Sequence, residues 1–146
     1  MTYKQIIDEF FNICRDHKMI NTWGYGALSD IVDPYNREES DYPYAFLNPT
    51  SHQLERGKLT VRFNLIMQEL TADTDDGVIQ GQSDALQYIK DILAHYYYAL
   101  EDYDFNLNVS LTPFKERFDD VVCGMTAAIE FELPDILDDC ITPFNE

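Results

Sequence analysis

Positive charge is scarce in this chain of 146 residues. Ten lysines and arginines stand against 27 aspartates and glutamates, so the formal net charge is −17. Residues 1–70 carry seven cations and ten anions, a net charge of −3, whereas residues 71–146 carry three and seventeen, a net charge of −14. Proteins that bind the phosphate backbone of nucleic acids need clustered lysines and arginines, so the composition argues against direct nucleic-acid binding. Solubility is the simplest role for the excess of carboxylates.

The chain also lacks the cysteine pattern of a disulfide framework. Its three cysteines, Cys14, Cys123 and Cys140, are widely spaced and form no C-x-x-C pair. An odd number of cysteines without a secretory leader predicts a reducing compartment. No apolar run approaches the length of a membrane-spanning helix. We therefore expect a protein of the cytosol, or one that is assembled there.

Signatures of catalysis and of metal binding are missing as well. The sequence contains no Ser-His-Asp signature, P-loop or HExxH motif, and His52 has no second ligand at metal-binding spacing. The acidic cluster at residues 73–76 is out of register with a calcium loop. If Gly77 takes the sixth loop position, the first falls on Ala72 and the twelfth on Ser83, which are not calcium ligands. The residues therefore predict no catalytic, cofactor or metal site.

The sequence does contain enough apolar residues for a hydrophobic core, and one stretch in which apolar and polar residues alternate. Apolar residues make up 45% of the chain and aromatic residues 14%, enough for one domain with a substantial core. In the range 58–70, apolar and polar side chains alternate as far as Gln68, with a break at Ile66; the apolar set is Leu59, Val61, Phe63, Leu65 and Met67. Because side chains alternate between the two faces of a strand, this stretch predicts a long strand with one buried face.

Two segments have helical periodicity. Residues 2–19 carry a wide apolar stripe with Thr2 as the N-cap, and Cys14 lies on that stripe, which predicts a buried and inert thiol. The second helix is predicted from a cap at Ser83 to about Leu100. Its Tyr96-Tyr97-Tyr98 run continues around the helix, so we expect at least one ring outside the core. Such a ring would suit an interface or cover the edge of the core.

Four shorter stretches complete the predicted sheet: residues 20–31, 42–47, 105–111 and 125–133. Pro43 cannot donate a ladder hydrogen bond, so it predicts a strand start or an edge. Residues 48–57 and 71–81 are predicted loops, because each is rich in turn formers. The second and third strands are expected to form a hairpin, and the last two to pair antiparallel.

The resulting element order is α-β-β-β-α-β-β. It predicts an α+β fold: a single domain over residues 1–146, with a largely antiparallel sheet of about five strands and two helices packed on one face. The C-terminal tail, residues 135–146, is acidic but carries Ile136, Leu137 and Phe144. We expect this tail to dock on its own domain or on a neighbour.

The chain resembles the tail-terminator and tail-completion proteins of tailed bacteriophages, as found in large phages of gut Bacteroidota. The resemblance rests on the element order and on three local runs: Tyr42-Pro-Tyr-Ala-Phe-Leu-Asn-Pro49, Phe118-Asp-Asp-Val-Val-Cys-Gly124 and Asp139-Cys-Ile-Thr-Pro143. It implies a virion protein, assembled in the host cytoplasm, that forms a ring of six or twelve identical subunits at the head–tail neck or at the end of the tail tube. It also implies tail-tube, portal or connector proteins as partners, and DNA that passes through the ring without specific binding. Neither catalysis, a cofactor nor a membrane is implied.

In such a ring each subunit presents two different surfaces to its neighbours. The two predicted loops, the exposed tyrosines and the tail are the expected contact elements. The candidate interface residues are Arg56, Lys58, Asp73, Asp75, Asp76, Tyr97, Tyr98, Ile136, Leu137 and Phe144. Three alternatives remain open: a head–tail connector or adaptor ring, a partner-binding module without a ring, and a small enzyme with a pocket between the second helix and the sheet.

Overall fold

The computed structural model describes residues 2–28, 41–99, 103–117 and 121–135. These ranges contain two helices and six strands: α1 (Tyr3–Asp16), β1 (Thr22–Tyr25), β2 (Tyr44–Glu55), β3 (Gly57–Thr71), α2 (Asp75–Tyr98), β4 (Asp104–Phe105), β5 (Ser110–Arg117) and β6 (Val121–Asp135). The predicted α+β class with a largely antiparallel sheet is confirmed. The sheet has six strands rather than five, because the region before β6 contributes two short strands.

The long patterned strand, β3, lies at the centre of the sheet. It pairs antiparallel with β2 on one side, and with β6 on the other over its whole length, from Gly57↔Asp135 to Thr71↔Val121. The predicted hairpin of the second and third strands is confirmed. β1 adds to the outer edge of β2 as a parallel strand over residues 44–47. On the far side of β6, β5 and β4 pair with successive parts of the same strand.

Both helices pack on one face of the sheet, as the sequence predicts. The odd-numbered apolar residues of β3 and their neighbours on β6 form the core with the apolar stripes of the helices; its largest fully buried members include Phe10, Phe63, Leu65, Ile89, Tyr96 and Phe131. The other face carries a smaller buried cluster of Tyr42, Tyr44, Phe46, Ile66 and Val122. The break in the alternation at Ile66 therefore marks a second apolar patch on that face.

The first helix has the predicted start. The Thr2 hydroxyl accepts a hydrogen bond from the backbone N–H of Gln5, and the Gln5 side chain accepts one from the backbone N–H of Thr2. This capping box satisfies two of the free donors at the helix start. Cys14 is fully buried on the apolar stripe, and burial raises the pKa of its thiol to about 12. The prediction of a buried, unreactive thiol is confirmed.

Histidines tie the two helices together. His95 Nε2 lies 2.7 Å from Glu9 Oε1, and His17 Nε2 lies 2.8 Å from Asp91 Oδ2. The sequence provides no indication of these pairs, since the partners are far apart along the chain. They hold α1 beside α2 over the sheet.

The second helix starts earlier than the sequence predicts. Its N-cap is Thr74, whose hydroxyl accepts a hydrogen bond from the backbone N–H of Gly77 at 3.0 Å. The proposed cap at Ser83 is therefore wrong, and most of the predicted loop 71–81 is helix. Asp75 and Asp76 occupy the first helical turn, where negative charge is favourable.

The predicted loop at residues 48–57 is also wrong. β2 continues to Glu55, with a register shift between Pro49 and His52, and Glu55 pairs with Lys58 across the turn. Gly57 adopts a positive φ of 82° in that turn, a conformation that favours glycine. Beyond Leu47 no described strand pairs with the outer edge of β2, and Pro49 is tolerated at such an edge.

Residues 105–111 do not form the single predicted strand. The side-chain oxygen of Asn106 accepts a hydrogen bond from the backbone N–H of Asn108, and the Val109 N–H bonds back to the Leu107 carbonyl. This local turn breaks the strand. The chain then returns to β6 as β5, which lies mostly beyond the predicted strand. Leu107 is consequently exposed rather than buried.

The remaining strand predictions are confirmed in part. The first strand is shorter than predicted: β1 covers only Thr22–Tyr25, and residues 29–31 lie outside the described part of the chain. The last strand, β6, is longer, running from Val121 to Asp135 with Pro134 near its end. Its buried residues Ala127, Ile129, Phe131 and Leu133 follow the predicted alternation.

Candidate functional site

One candidate contact surface is the end of the β2–β3 hairpin. Residues 50–57, which we call the distal hairpin, are all exposed. Leu54 is 55% exposed and lies opposite Leu59, which in turn lies opposite Leu133 on β6. Since cross-strand partners share a face, these leucines form an apolar row that becomes progressively more exposed towards the outer edge. The distal hairpin therefore presents an apolar side chain on a rigid, paired backbone.

The cations near this end are mostly paired within the subunit. Lys58 Nζ lies 3.6 Å from Glu132 Oε1, and Arg62 Nε lies 3.0 Å from Glu130 Oε1. Arg56, at the turn, is exposed and has no ion pair with any residue that the structure describes. Of the three clustered cations in this region, Arg56 is thus the one left to face a partner.

The second candidate surface lies at the opposite end of β3, where the strand meets the start of α2. A groove of about 310 Å³ opens there. We call it the carboxylate groove; it is lined by Met19, Pro43, Glu69, Leu70, Thr71, Ala72, Gly77, Gln80, Gly81, Asp84 and Tyr88. Most of its wall is apolar, and the side-chain charges are those of Glu69 and Asp84. This combination can receive an apolar stem that ends in a positive charge.

The electrostatics of the carboxylate groove are dominated by its two acids. Burial, and next the nearby Asp84 carboxylate, raise the pKa of Glu69 to about 7, although a hydrogen bond with the Leu70 backbone opposes the shift. Burial and the charges of Glu69, Asp84 and Asp91 also raise the pKa of Tyr88. Asp84 accepts a hydrogen bond from the Gln80 amide at 2.9 Å. No lysine or arginine among the described residues pairs with Glu69 or Asp84.

A cysteine lies close to the groove but is not activated by it. Burial, then the charges of Glu69 and Asp84, raise the pKa of the Cys123 thiol to about 11, with Lys115 acting in the opposite direction. The thiol is therefore protonated at neutral pH and a poor nucleophile. Its role is in packing: a Cβ added at Gly81 would overlap the Cys123 sulfur. Gly81 allows α2 to approach β6 closely.

The structure separates the predicted interface residues into distinct places. Arg56 and Lys58 lie at the hairpin end. Asp73 pairs with Lys115 at 3.3 Å, and Asp75 and Asp76 belong to the first turn of α2.

The tyrosines of the predicted interface lie at the other end of α2. Tyr97 and Tyr98 are 47% and 77% exposed and contact each other edge to face with centroids 4.9 Å apart. Tyr96, by contrast, is buried and packs against Phe131. Ile136, Leu137 and Phe144, together with the predicted docking of the tail, lie outside the described residues.

Sequence reasoning missed the Glu69–Asp84 pair. Glu69 occupies the same set of alternating positions as the apolar residues Leu59 to Met67. The sequence therefore indicates a carboxylate on the buried side of the strand, and this could have identified Glu69. The predicted cap at Ser83 would place Asp84 in the first helical turn. With the helix starting at Asp75, Asp84 lies well inside it and faces the end of β3.

Comparisons with known proteins and known types of site add no further constraint. No protein-family model matches the chain, and none of the curated proteins matches it significantly. Within residues 2–28, 41–99, 103–117 and 121–135, no group of three or more His, Cys, Asp or Glu residues is placed to hold a metal ion. Neither described helix has the length and apolar character needed to cross a membrane. Function is therefore inferred from the distal hairpin and the carboxylate groove.

Proposed function

We propose that this chain is a structural virion protein of a tailed bacteriophage. It forms a homo-oligomeric ring at the head–tail neck or at the end of the tail tube, as a tail-terminator or tail-completion protein, and performs no catalysis. The resemblance in the sequence motivates this proposal. The observation that carries it is the distal hairpin, a paired part of the central sheet whose residues are all exposed, although His52 contacts Tyr3 of α1.

A ring of identical subunits requires two different surfaces that fit each other. The distal hairpin supplies one of them, with Leu54 and Arg56 exposed at its end. The remaining candidate surfaces lie elsewhere on the subunit: the carboxylate groove at the far end of β3, and the exposed Tyr97 and Tyr98 on α2. Separate surfaces of this kind support a heterologous contact, in which each subunit touches two neighbours differently.

The charge distribution is consistent with a passage for DNA. The chain carries −17 overall, and several of its described cations are held by carboxylates of the same subunit, including Lys4, Lys58, Arg62 and Lys115. Few positive charges remain to bind phosphates. A ring with such a surface would let DNA pass without holding it.

The oligomeric state tests the proposal directly. Native mass spectrometry and negative-stain imaging of the purified chain, alone and with tail tubes, should show closed rings of six or twelve subunits. Added duplex DNA should not shift the mass of the ring at physiological salt. A chain that stays monomeric both alone and with tube ends would refute the ring.

One observation favours a second candidate, a partner-binding module that forms no ring. The carboxylate groove lies between α2 and the end of the sheet, the place of the pocket in the enzyme alternative, and its two acids have no described cation. A small enzyme would need further catalytic groups beside them, and Cys123 is protonated. Specific capture of a neck or tail protein by a strictly monomeric chain would support this module over the ring.

A further inference from the structure

The carboxylate groove holds two acids, and none of the described residues of the subunit supplies a positive charge to them. Glu69 and Asp84 both line the groove, Asp84 is close enough to disfavour ionisation of Glu69, and no described lysine or arginine relieves the repulsion. Met19, Leu70 and Tyr88 provide apolar walls beside the acids. A guanidinium entering this space would place its planar donors against carboxylate oxygens and its aliphatic stem against the walls.

Arg56 is the cation best placed to enter such a groove on another molecule. It lies at the exposed turn of the distal hairpin, without a described ion pair, next to the exposed Leu54. Lys18 and Lys90 are also exposed and without described ion pairs, but neither lies at the turn between two paired strands. Arg56 therefore combines a charge without a described ion pair with a position at an exposed turn.

The central strand prevents Arg56 from reaching the groove of its own subunit. Gly57 and Glu69 lie on the same strand, β3, and at about 3.3 Å per residue they are about 40 Å apart. The charge and its receptor are thus held at opposite ends of one rigid element. Complementary surfaces at opposite ends of a subunit can be satisfied only between molecules.

We propose that the distal hairpin of one subunit inserts Arg56 into the carboxylate groove of the next copy of this chain. This contact rests on the proposed ring and identifies the two surfaces that form it. Arg56 pairs with Glu69 and Asp84, while Leu54 packs against the apolar wall around Met19, which is 54% exposed. The contact is head to tail, and repeating it closes a ring when the rotation per subunit is suitable.

This proposal is tested with two variants, each of which blocks one end of the contact. Arg56→Glu removes the inserting charge but keeps the groove, whereas the double variant Glu69→Gln/Asp84→Asn neutralises the groove but keeps Arg56. Each is measured alone and mixed, by sedimentation velocity at pH 8, where Glu69 is ionised. The matched control is Lys90→Glu, which makes the same charge change as Arg56→Glu on an exposed helix position.

Each blocked variant alone should associate about thirtyfold or more weakly than the parent chain. Mixed one to one, they should form heterodimers that do not grow, because each molecule has one working end. The Lys90→Glu control should still form rings. Circular dichroism melting of every variant separates a lost contact from a lost fold.

The other outcomes would contradict the contact in distinguishable ways. If both blocked variants form rings as the parent does, this contact is wrong while the ring stands. If the groove variant forms rings but no longer binds a separate neck or tail protein, the positive charge comes from that protein instead. If the parent chain never forms rings, alone or on tube ends, the proposed function fails as well.

Discussion

The two ends of the β2–β3 hairpin have the same backbone pairing but different surroundings. Near Leu65 the sheet is covered by the helices on one face and is fully buried. At the distal hairpin β2 is exposed up to Glu55, whereas its β3 partners Leu59 and Val61 are half-buried and buried. Burial of apolar area drives folding, so the covered end supplies the stability that keeps the uncovered end ordered. This difference is the reason for proposing that the distal hairpin contacts another molecule.

Removing a ring from the core between the helices and the sheet should have the largest effect. Phe131 is fully buried against Phe63, Tyr96, Tyr103 and Phe105. Phe131→Ala should lower the free energy of unfolding by about 3–5 kcal/mol, because it creates a large cavity. Urea denaturation followed by circular dichroism measures the change. A loss below about 1 kcal/mol would show that the core between the helices and the sheet is not the main source of stability.

The close approach of α2 to the sheet gives the next largest effect. Alanine is a better helix former than glycine by about 1 kcal/mol, yet Gly81→Ala should destabilise the protein by about 1–3 kcal/mol because the new methyl overlaps the Cys123 sulfur. In a Cys123→Ala background the clash is removed, and the same substitution should become neutral or stabilising. A double-mutant cycle by thermal unfolding tests this coupling. Additive effects would contradict it.

The carboxylate groove should make stability depend on pH in a defined window. The pKa of Glu69 rises from 4.5 to about 7 on folding, so the folded state binds the proton more tightly, and stability falls as pH rises through 4.5–7. Glu69→Gln should therefore raise the free energy of unfolding at pH 8 by about 1 kcal/mol, since the side chain is partly exposed and solvent screens the repulsion. At pH 4.5 the gain should vanish. Chemical denaturation at the two pH values distinguishes this from a uniform packing effect.

The uncovered end should show the smallest effect on stability. Leu54 is more than half exposed, so Leu54→Ser should change the free energy of unfolding by less than about 0.5 kcal/mol. Under the proposed head-to-tail contact, the same change should weaken self-association measurably. Leu59→Ser, at the partly buried partner position, is the matched comparison and should reduce stability more. Equal losses of stability for the two variants would remove the distinction between the ends.

The general architecture could be predicted from the sequence because it depends on local periodicity. The alternation around Phe63 and Ile129 and the apolar stripe of α1 identify the core strands and the helix face without knowledge of the partners. The α+β class follows from their order. These features follow directly from which side chains must be buried.

The errors occurred where a distant contact overrides a local preference. Gly77 and Gly81 weaken helix propensity, and the helical start at Asp75 depends on the cap at Thr74 and on packing against Cys123. Pro49 suggests a loop, but β2 has no described neighbour on its outer edge there. The proximity of Glu69 and Asp84 could not be predicted, because it depends on the position at which α2 begins.

The pairing of β3 also has a consequence for the order of folding. Its contacts with β2 join residues that are close in sequence, through the two-residue turn at Arg56 and Gly57. Its contacts with β6 join segments separated by the whole of α2 and by two short strands. Closing so long a loop is slow compared with forming a hairpin. We expect the β2–β3 hairpin to form early and to serve as the template on which the C-terminal strand later assembles.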